Sequence, residues 1–460
     1  MCLSPAPAGE APPAMTTVRS SAAALAASAA LCVALAPAAV ADDTTAGTAS
    51  PSPAASPSPL AASPSPAAGA PARLPAGLYG TKDPTHDGVW RQSLAMLGQY
   101  AAGLRPANSA ILWLKSQQCA DGSFPAYRPD PAVPCDLNTA TDVNSTSAAL
   151  QALASVGGQR EFMQKAVGWL RLAQNKDGGW GRTNGAPTDA NSTALVIGSL
   201  TTAGAHPGSM RSLDGKNGYD ALITLAIPCD AATGAGAFAH QPGPSGTLVA
   251  DNDATAAAVL GGIGKRMVAA PVSPGPAPTC HKSAHPTPEF TARNGAAYLA
   301  RILAEDGHLD QSALPGAPAG PSRPDPGNTA DAIVALGAAG YGDKATGALD
   351  WLKKNSASWA AANGPAAWAQ LIFAAHTAGV DPHHFGGVDL VERLNATGPA
   401  PIPVPALSPS STIPASAQAA AVREASVGKA QAALWVIAVG LVVCVGAAVY
   451  VSRRRRSVRS

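Results

Sequence analysis

KAVGWLRLAQNKDGGWGRTNGAPTDANST, residues 165–193, contains one complete structural unit. Ala166, Trp169, Leu170 and Ala173 fall at helical spacing, which makes one apolar stripe on a helix. Asp177-Gly178-Gly179 stops that helix, and Trp180 follows the glycines as the chain turns back. A cluster of Asp, Asn, Ser and Thr then opens a second apolar run. The unit reads as an outer helix, a Gly-aromatic turn and an inner helix with a polar start.

The pattern recurs. In SAILWLKSQQCADGSF, residues 109–124, Trp113, Leu114, Gln118, Gly122 and Phe124 match Trp169, Leu170, Gln174, Gly178 and Trp180. A third copy at residues 294–309 keeps Tyr298, Leu299 and Gly307, and a fourth around Trp351-Leu352 keeps only that pair. The second half of the unit repeats more evenly: Asp142, Asp189, Asp251 and Asp325 each stand four residues before a threonine, at 146, 193, 255 and 329. Alanine-rich runs follow, with large residues at one helical face, as in Leu150 with Leu153, Ile197 with Leu200 and Ile333 with Leu336. Internal repetition of this kind carries more weight than any single residue.

Lys165-Ala166, Trp169-Leu170, Gln174, Gly178 and Trp180 together resemble the QW motif of the squalene cyclase and protein prenyltransferase β-subunit superfamily. The resemblance covers roughly residues 85–395 and implies an all-α fold, a single α6/α6 toroid carrying prenyltransferase/squalene oxidase-like repeats. It speaks for fold more than for function.

In chain order the spacing predicts an inner helix at 89–102 without an outer partner, then outer 108–118, inner 144–155, outer 161–174, inner 191–203, outer 217–226 and inner 253–264. A proline-rich insertion at 267–288 precedes outer 288–304, inner 328–339, outer 345–355, inner 365–379 and outer 387–394. The first inner and last outer helices are both unpaired. Joining them closes six hairpins into a ring, which covers the apolar face that each hairpin leaves open.

The chain ends are of different composition. Residues 1–41 read as a signal peptide region, with Met15 as the working start, an apolar run at 23–35 and a small-residue cleavage site at Ala39-Val40-Ala41. Residues 42–75 and 397–431 are Pro, Ala and Ser-rich linkers on either side of a folded domain at 76–396. Residues 432–451 are free of charge and long enough, at 1.5 Å per residue, to cross a bilayer core of about 30 Å. The arginine-rich tail at 452–460 then sets a single-pass type I orientation in the cell membrane, with the folded domain extracellular. The net charge of +2 falls to roughly −3 once the five tail arginines are set aside, so no nucleic-acid partner is expected.

Cys119, Cys135, Cys229 and Cys280 are the four cysteines of the exported part. An even number in an oxidising compartment predicts two disulfides; of the three pairings, nearest neighbours, Cys119 with Cys135 and Cys229 with Cys280, would each tie a loop at one rim. Cys229-Asp230 and Cys280-His281 with His285 are then no zinc set, and no metal or cofactor is expected.

The acidic clusters open the inner helices, where unpaired N–H groups and partial positive charge gather. Asn144, Asn191, Asp253 and Asn328 are read as caps that also face whatever enters the mouth. Asp142, Asp189, Asp251, Asp325, Trp180 and Phe124 complete the candidate ligand-binding set. The resemblance also suggests comparison with the Asp-x-Asp-Asp acid of class II terpene cyclases; Asp251 and Asp253 keep two of its acids, with Ala254 at the third place. Aromatic residues at 5% are few for a cyclase pocket, and only one toroid is present. Cobalamin carriers also resemble a disulfide-tied α6/α6 toroid. The reading is therefore a ligand-binding surface protein that captures a corrinoid-like or other bulky small molecule for a membrane transporter or envelope protein. The alternatives are a terpene-cyclase or prenyltransferase-like enzyme and a glycan-active enzyme using rim carboxylates as acid and base.

Overall fold

In a computed structural model of the chain, residues 74–311 and 323–402 are described. The expected signal region, most of both expected linkers, the expected membrane span and the basic tail lie outside the described residues. Among the described residues no helix is long and apolar enough to cross a membrane. They are helical, with only isolated β-bridges between loops.

The helices are α1 (Gly88–Ala101), α2 (Asn108–Ser116), α3 (Val143–Val156), α4 (Arg160–Leu172), α5 (Ala190–Thr202), α6 (Gly218–Thr224), α7 (Asn252–Gly262), α8 (Pro288–Asp306), α9 (Pro326–Ala338), α10 (Thr346–Asn355), α11 (Ala357–Asn363), α12 (Pro365–Thr377) and α13 (Leu390–Asn395). All twelve expected helices are present, and the short α11 is an addition. The inner series makes a circuit: α1 packs on α3, α3 on α5, α5 on α7, α7 on α9, α9 on α12, and α12 returns to α1. The outer helices lie against them, α4 on α3, α6 on α5, α8 on α7, α10 on α9, with α13 against both α12 and α1.

The circuit is clasped where its two chain ends meet. Gln99 Nε2 donates to Asn395 Oδ1 at 2.8 Å, and the Tyr79 hydroxyl donates to Gln99 Oε1 at 2.9 Å and to the Pro399 carbonyl at 3.0 Å. Burial of Tyr79 pushes its hydroxyl up to about 12, so it remains a donor.

The repeat owes its residues to one clip. Asp142, Asp189, Asp251 and Asp325 accept the N–H three residues on, at 2.7, 2.7, 2.8 and 3.0 Å, and so cap α3, α5, α7 and α9. Their own N–H groups donate to the carbonyls of Phe124, Trp180, Phe238 and Leu309. The N–H groups of those four residues donate in return to the hydroxyls of Thr146, Thr193, Thr255 and Thr329, at 2.9, 3.0, 2.9 and 2.9 Å. The Asp-to-Thr spacing thus pins each turn to one helix start. The aspartates, not Asn144, Asn191, Asp253 and Asn328, are the caps, which corrects the sequence reading and moves the helix starts one or two residues earlier. Asn328 instead steadies the cap, its Nδ2 donating to Asp325 Oδ2 at 3.1 Å.

The glutamines of the repeat hold the same turns. Gln118 Nε2 donates to the carbonyls of Gly122 at 3.1 Å and Phe162 at 2.9 Å, and Gln174 Nε2 donates to that of Gly178 at 2.8 Å. Gly122 and Gly178 take positive φ, 98° and 92°, and sit where a Cβ would strike the backbone of Lys165 and Asn217. Gly178→Ala adds left-handed strain to that collision, so a loss of at least about 1–3 kcal/mol is expected in thermal unfolding; an unchanged melting temperature would contradict the packing described.

Both disulfides join nearest neighbours, Cys119 with Cys135 and Cys229 with Cys280, each with Cα atoms 5.6 Å apart. Neither sulfur pair is free for a metal. The proline-rich insertion crosses the C-terminal ends of the inner helices. Met267 N–H donates to Gln151 Oε1 at 3.2 Å, Thr377 Oγ1 donates to the Ala269 carbonyl at 2.8 Å, and Gly275 N–H donates to the Gly340 carbonyl at 2.8 Å. Val268 and Ala269 are buried there. Residues 267–275 therefore form a floor, a role the composition does not reveal.

Candidate functional site

All six inner helices line a cavity of about 490 Å³. Its walls follow helical periodicity, one face of each inner helix turning inward at i, i+4 and i+7. On α7 these are Asp253, Ala257 and Leu260, and on α5 Asn191, Leu195 and Gly198. Asn144 and Gln151 come from α3, Asp331 and Val334 from α9, Gln370 and Phe373 from α12, Trp90 and Leu94 from α1.

Counted from the capping aspartate, the first rung stands two residues on, the second six, the third nine. The first rung, Asn144, Asn191 and Asp253, is polar; the second carries Asp331 and Gln370 among aliphatic residues. Asp331 occupies the place held by Leu195 in α5 and Ala257 in α7. The sequence reading missed it because the search stopped at the helix starts; carrying the repeat register six residues inward exposes the one acid among those places.

The expected rim residues divide. Asn144, Asp189, Asn191 and Asp253 line the cavity together, whereas Asp142, Asp251, Asp325 and Asn328 do not. Asp142 turns to Arg182, 3.7 Å away. Trp180 and Phe124 are wholly buried in the packing between helices and reach no cavity. Trp180 Nε1 donates to the Leu170 carbonyl at 2.7 Å, so both aromatics, expected at the ligand, pack between helices instead of lining this cavity.

The first rung is wired across the ring. Asn191 Nδ2 donates to Asp253 Oδ2 at 2.7 Å, and Asn191 Oδ1 lies 3.0 Å from Nδ1 of His240, an exposed residue of the mouth. Below it Gln370 Nε2 donates to Asp331 Oδ2 at 3.2 Å. Among the described residues, neither Asp253 nor Asp331 has an ion pair. Both keep partial accessibility because they face the cavity, yet protein surrounds them on every side.

Enclosure sets their titration. Burial pushes the Asp253 carboxyl up to about 6, with the charges of Asp251 and Asp325 adding to the shift while His240 and the Asn191 bond oppose it. Burial likewise pushes Asp331 up to about 8, aided by the Asp253 charge and opposed by the Gln370 bond. Asp189 is raised mainly by burial, against two bonds from Ser192. Both carboxyls thus hold their protons to higher pH than an exposed aspartate, Asp331 more strongly than Asp253.

Two further polar atoms are unmatched. Asn144 Oδ1 and Gln151 Nε2 are buried without a hydrogen-bond partner, although both residues line the cavity. Buried polar groups are normally paired, so such orphans mark where a guest would bond. Among the described residues no group of three His, Cys, Asp or Glu could hold a metal.

Asp251 is a cap beside this site rather than part of it. Asp251→Ala is expected to cost about 0.5–2 kcal/mol in denaturant unfolding and to lower the Asp253 titration point by removing a like charge. A stability loss without that downward shift would contradict the placement.

Two comparisons with known proteins returned matches. Residues 80–206 match the family model described as Squalene-hopene cyclase C-terminal domain, which supports the resemblance to the squalene cyclase and prenyltransferase superfamily. A solved structure titled "Crystal structure of sugar epimerase from ruminal bacterium" aligns at a TM-score of 0.38 and 14% identity, over 61% of this chain and 80% of that one. No curated protein matches the sequence.

Proposed function

We propose that the chain is a ligand-binding α6/α6 toroid, exported, held at the cell membrane by residues 432–451, and receiving a small molecule in its central cavity for a membrane partner. One observation carries this reading: six helices enclose a cavity of about 490 Å³ in which two amide groups have unmatched atoms. That volume is within the range of about 300–1,000 Å³ usual for small-molecule sites. The two disulfides suit an oxidising compartment. A corrinoid would lie across the mouth beside Arg182 and His240 rather than enter, so a more compact guest fits the cavity better.

The test is native mass spectrometry of the full-length protein purified from its own membranes, alongside Ala257→Trp, which fills the cavity from α7. A co-purifying small molecule lost in the variant is expected. Equal occupancy in both proteins would overturn the central site; an absorbance change of cobinamide with both proteins would move the ligand to the mouth.

Acid catalysis of the terpene-cyclase kind is the second reading, favoured by the family match over residues 80–206 and by a protonated carboxyl in the cavity. Protonating an alkene needs a strengthened acid, one whose conjugate base is stabilised by positive or hydrogen-bonding neighbours. The charged neighbours of Asp331 are Asp253 and Asp325, which weaken it. Binding therefore ranks first, and turnover of an isoprenoid that disappears in Asp253→Asn would reverse that order.

A further inference from the structure

We propose that the guest is an organic cation: an ammonium group seated between Asp253 and Asp331, with an apolar body against Leu195, Leu260, Val334 and Phe373. The inference rests on the ligand-binding reading above and adds the charge and shape of the ligand.

Three independent features converge on it. The first is placement: α7 and α9 pack against each other, and each turns one carboxylate into the same enclosed space. The second is incomplete satisfaction. Asp253 receives one amide N–H from Asn191 and Asp331 one from Gln370, while an ionised carboxylate offers about four acceptor sites. Among the described residues no lysine or arginine forms an ion pair with either, although Arg182, Lys265 and Arg266 lie elsewhere on the cavity wall. An enclosed carboxylate pair is stabilised by an opposite charge or by taking up protons. A bound ammonium supplies the opposite charge.

The third is the apolar part of the wall. Leu94, Leu195, Ala257, Leu260, Val334 and Phe373 offer no hydrogen bonds from their side chains, so the part of the ligand lying against them is apolar. Trp90 and Phe373 add aromatic rings to the lining, and ring faces attract cations. At the position between Asp253 and Asp331 an anionic group would face two acids, and a neutral one would leave their charge unmatched.

The experiment compares three probes of similar shape by calorimetric titration of the purified full-length protein at pH 7.5: benzyltrimethylammonium, its uncharged isostere neopentylbenzene, and phenylacetate. The cation is expected to bind at least tenfold more tightly than neopentylbenzene, with phenylacetate weakest. The double variant Asp253→Asn with Asp331→Asn should erase the tenfold preference, and Ala257→Trp should abolish binding of the cation and its isostere alike. Circular dichroism and a cooperative melt establish that each variant is folded. Equal affinity for the cation and its isostere, or a preference for phenylacetate, would overturn the cation assignment and leave a ligand cavity standing. Failure of all three probes at millimolar concentration would overturn the ligand-binding reading with it.

Discussion

Asp331→Asn raises the stability of the unliganded protein at pH 8 and leaves it nearly unchanged at pH 4. The sign follows from the carboxyl being pushed up to about 8 in the fold, far above an aspartate exposed in the unfolded chain. Between those values the native state keeps a proton that the unfolded chain has released. Stability therefore falls as pH rises through the window, by up to about 1.4 kcal/mol per unit. Complete conversion would amount to about 6 kcal/mol, but the side chain is partly accessible from the cavity and feels a higher effective dielectric than a dry interior. A net gain of about 2 kcal/mol is the sober figure, or about 4 °C for a domain of this size. Asparagine has nearly the same shape and still accepts the Gln370 N–H, so the charge alone changes. Differential scanning calorimetry at pH 4, 6 and 8 should show the wild-type melting temperature declining more steeply than that of the variant, in which Asp253 still titrates. A destabilisation of equal size at every pH would contradict the enclosed, unpaired carboxyl.

Trp180→Ala is expected to lose about 3–5 kcal/mol, the cost of emptying a large buried site. The indole is fully buried beside Trp169, Leu170 and Leu200, and its removal also strips the Leu170 carbonyl of its donor. Trp180→Phe keeps much of the volume and loses the hydrogen bond, so an intermediate loss is expected, including about 1 kcal/mol for the bond. Urea midpoints of the two variants should order accordingly. If Trp180→Ala folds with full stability and loses only ligand affinity, the aromatic belongs to the site after all and the wall described here is wrong.

Most helices, the hairpin order and the junction of α1 with α13 are legible in the sequence because each rests on local chemistry. Asp-Gly-Gly stops, apolar spacing and the Asp-to-Thr interval all act within about twenty residues. The disulfide pairing was legible too, since neighbouring cysteines share a loop. The floor was not: residues 267–275 read as composition without period, and their contacts with Gln151, Gly340 and Thr377 are distant in sequence. The turn at Phe238 was hidden for a related reason. Residues 225–237 lengthen that unit, so its aromatic falls outside the spacing seen at Trp180, and only the clip to Thr255 reveals the equivalence. Trp180 and Phe124 were misassigned because a repeated aromatic next to a polar cluster looks the same whether it packs inward or faces a ligand. Asp331 was within reach, but only by treating the repeat as a register that continues into the helix rather than as a motif at its start.

The most direct test is the titration of the Asp331 side chain itself, followed through its carboxyl ¹³C shift from pH 3 to pH 10 in the unliganded full-length protein and assigned against Asp331→Asn. A carboxyl enclosed by six helices and facing Asp253 titrates well above the ordinary carboxylate range. A midpoint near 4 would place it in open solvent, and neither the closed circuit of inner helices nor the acid-lined cavity would stand.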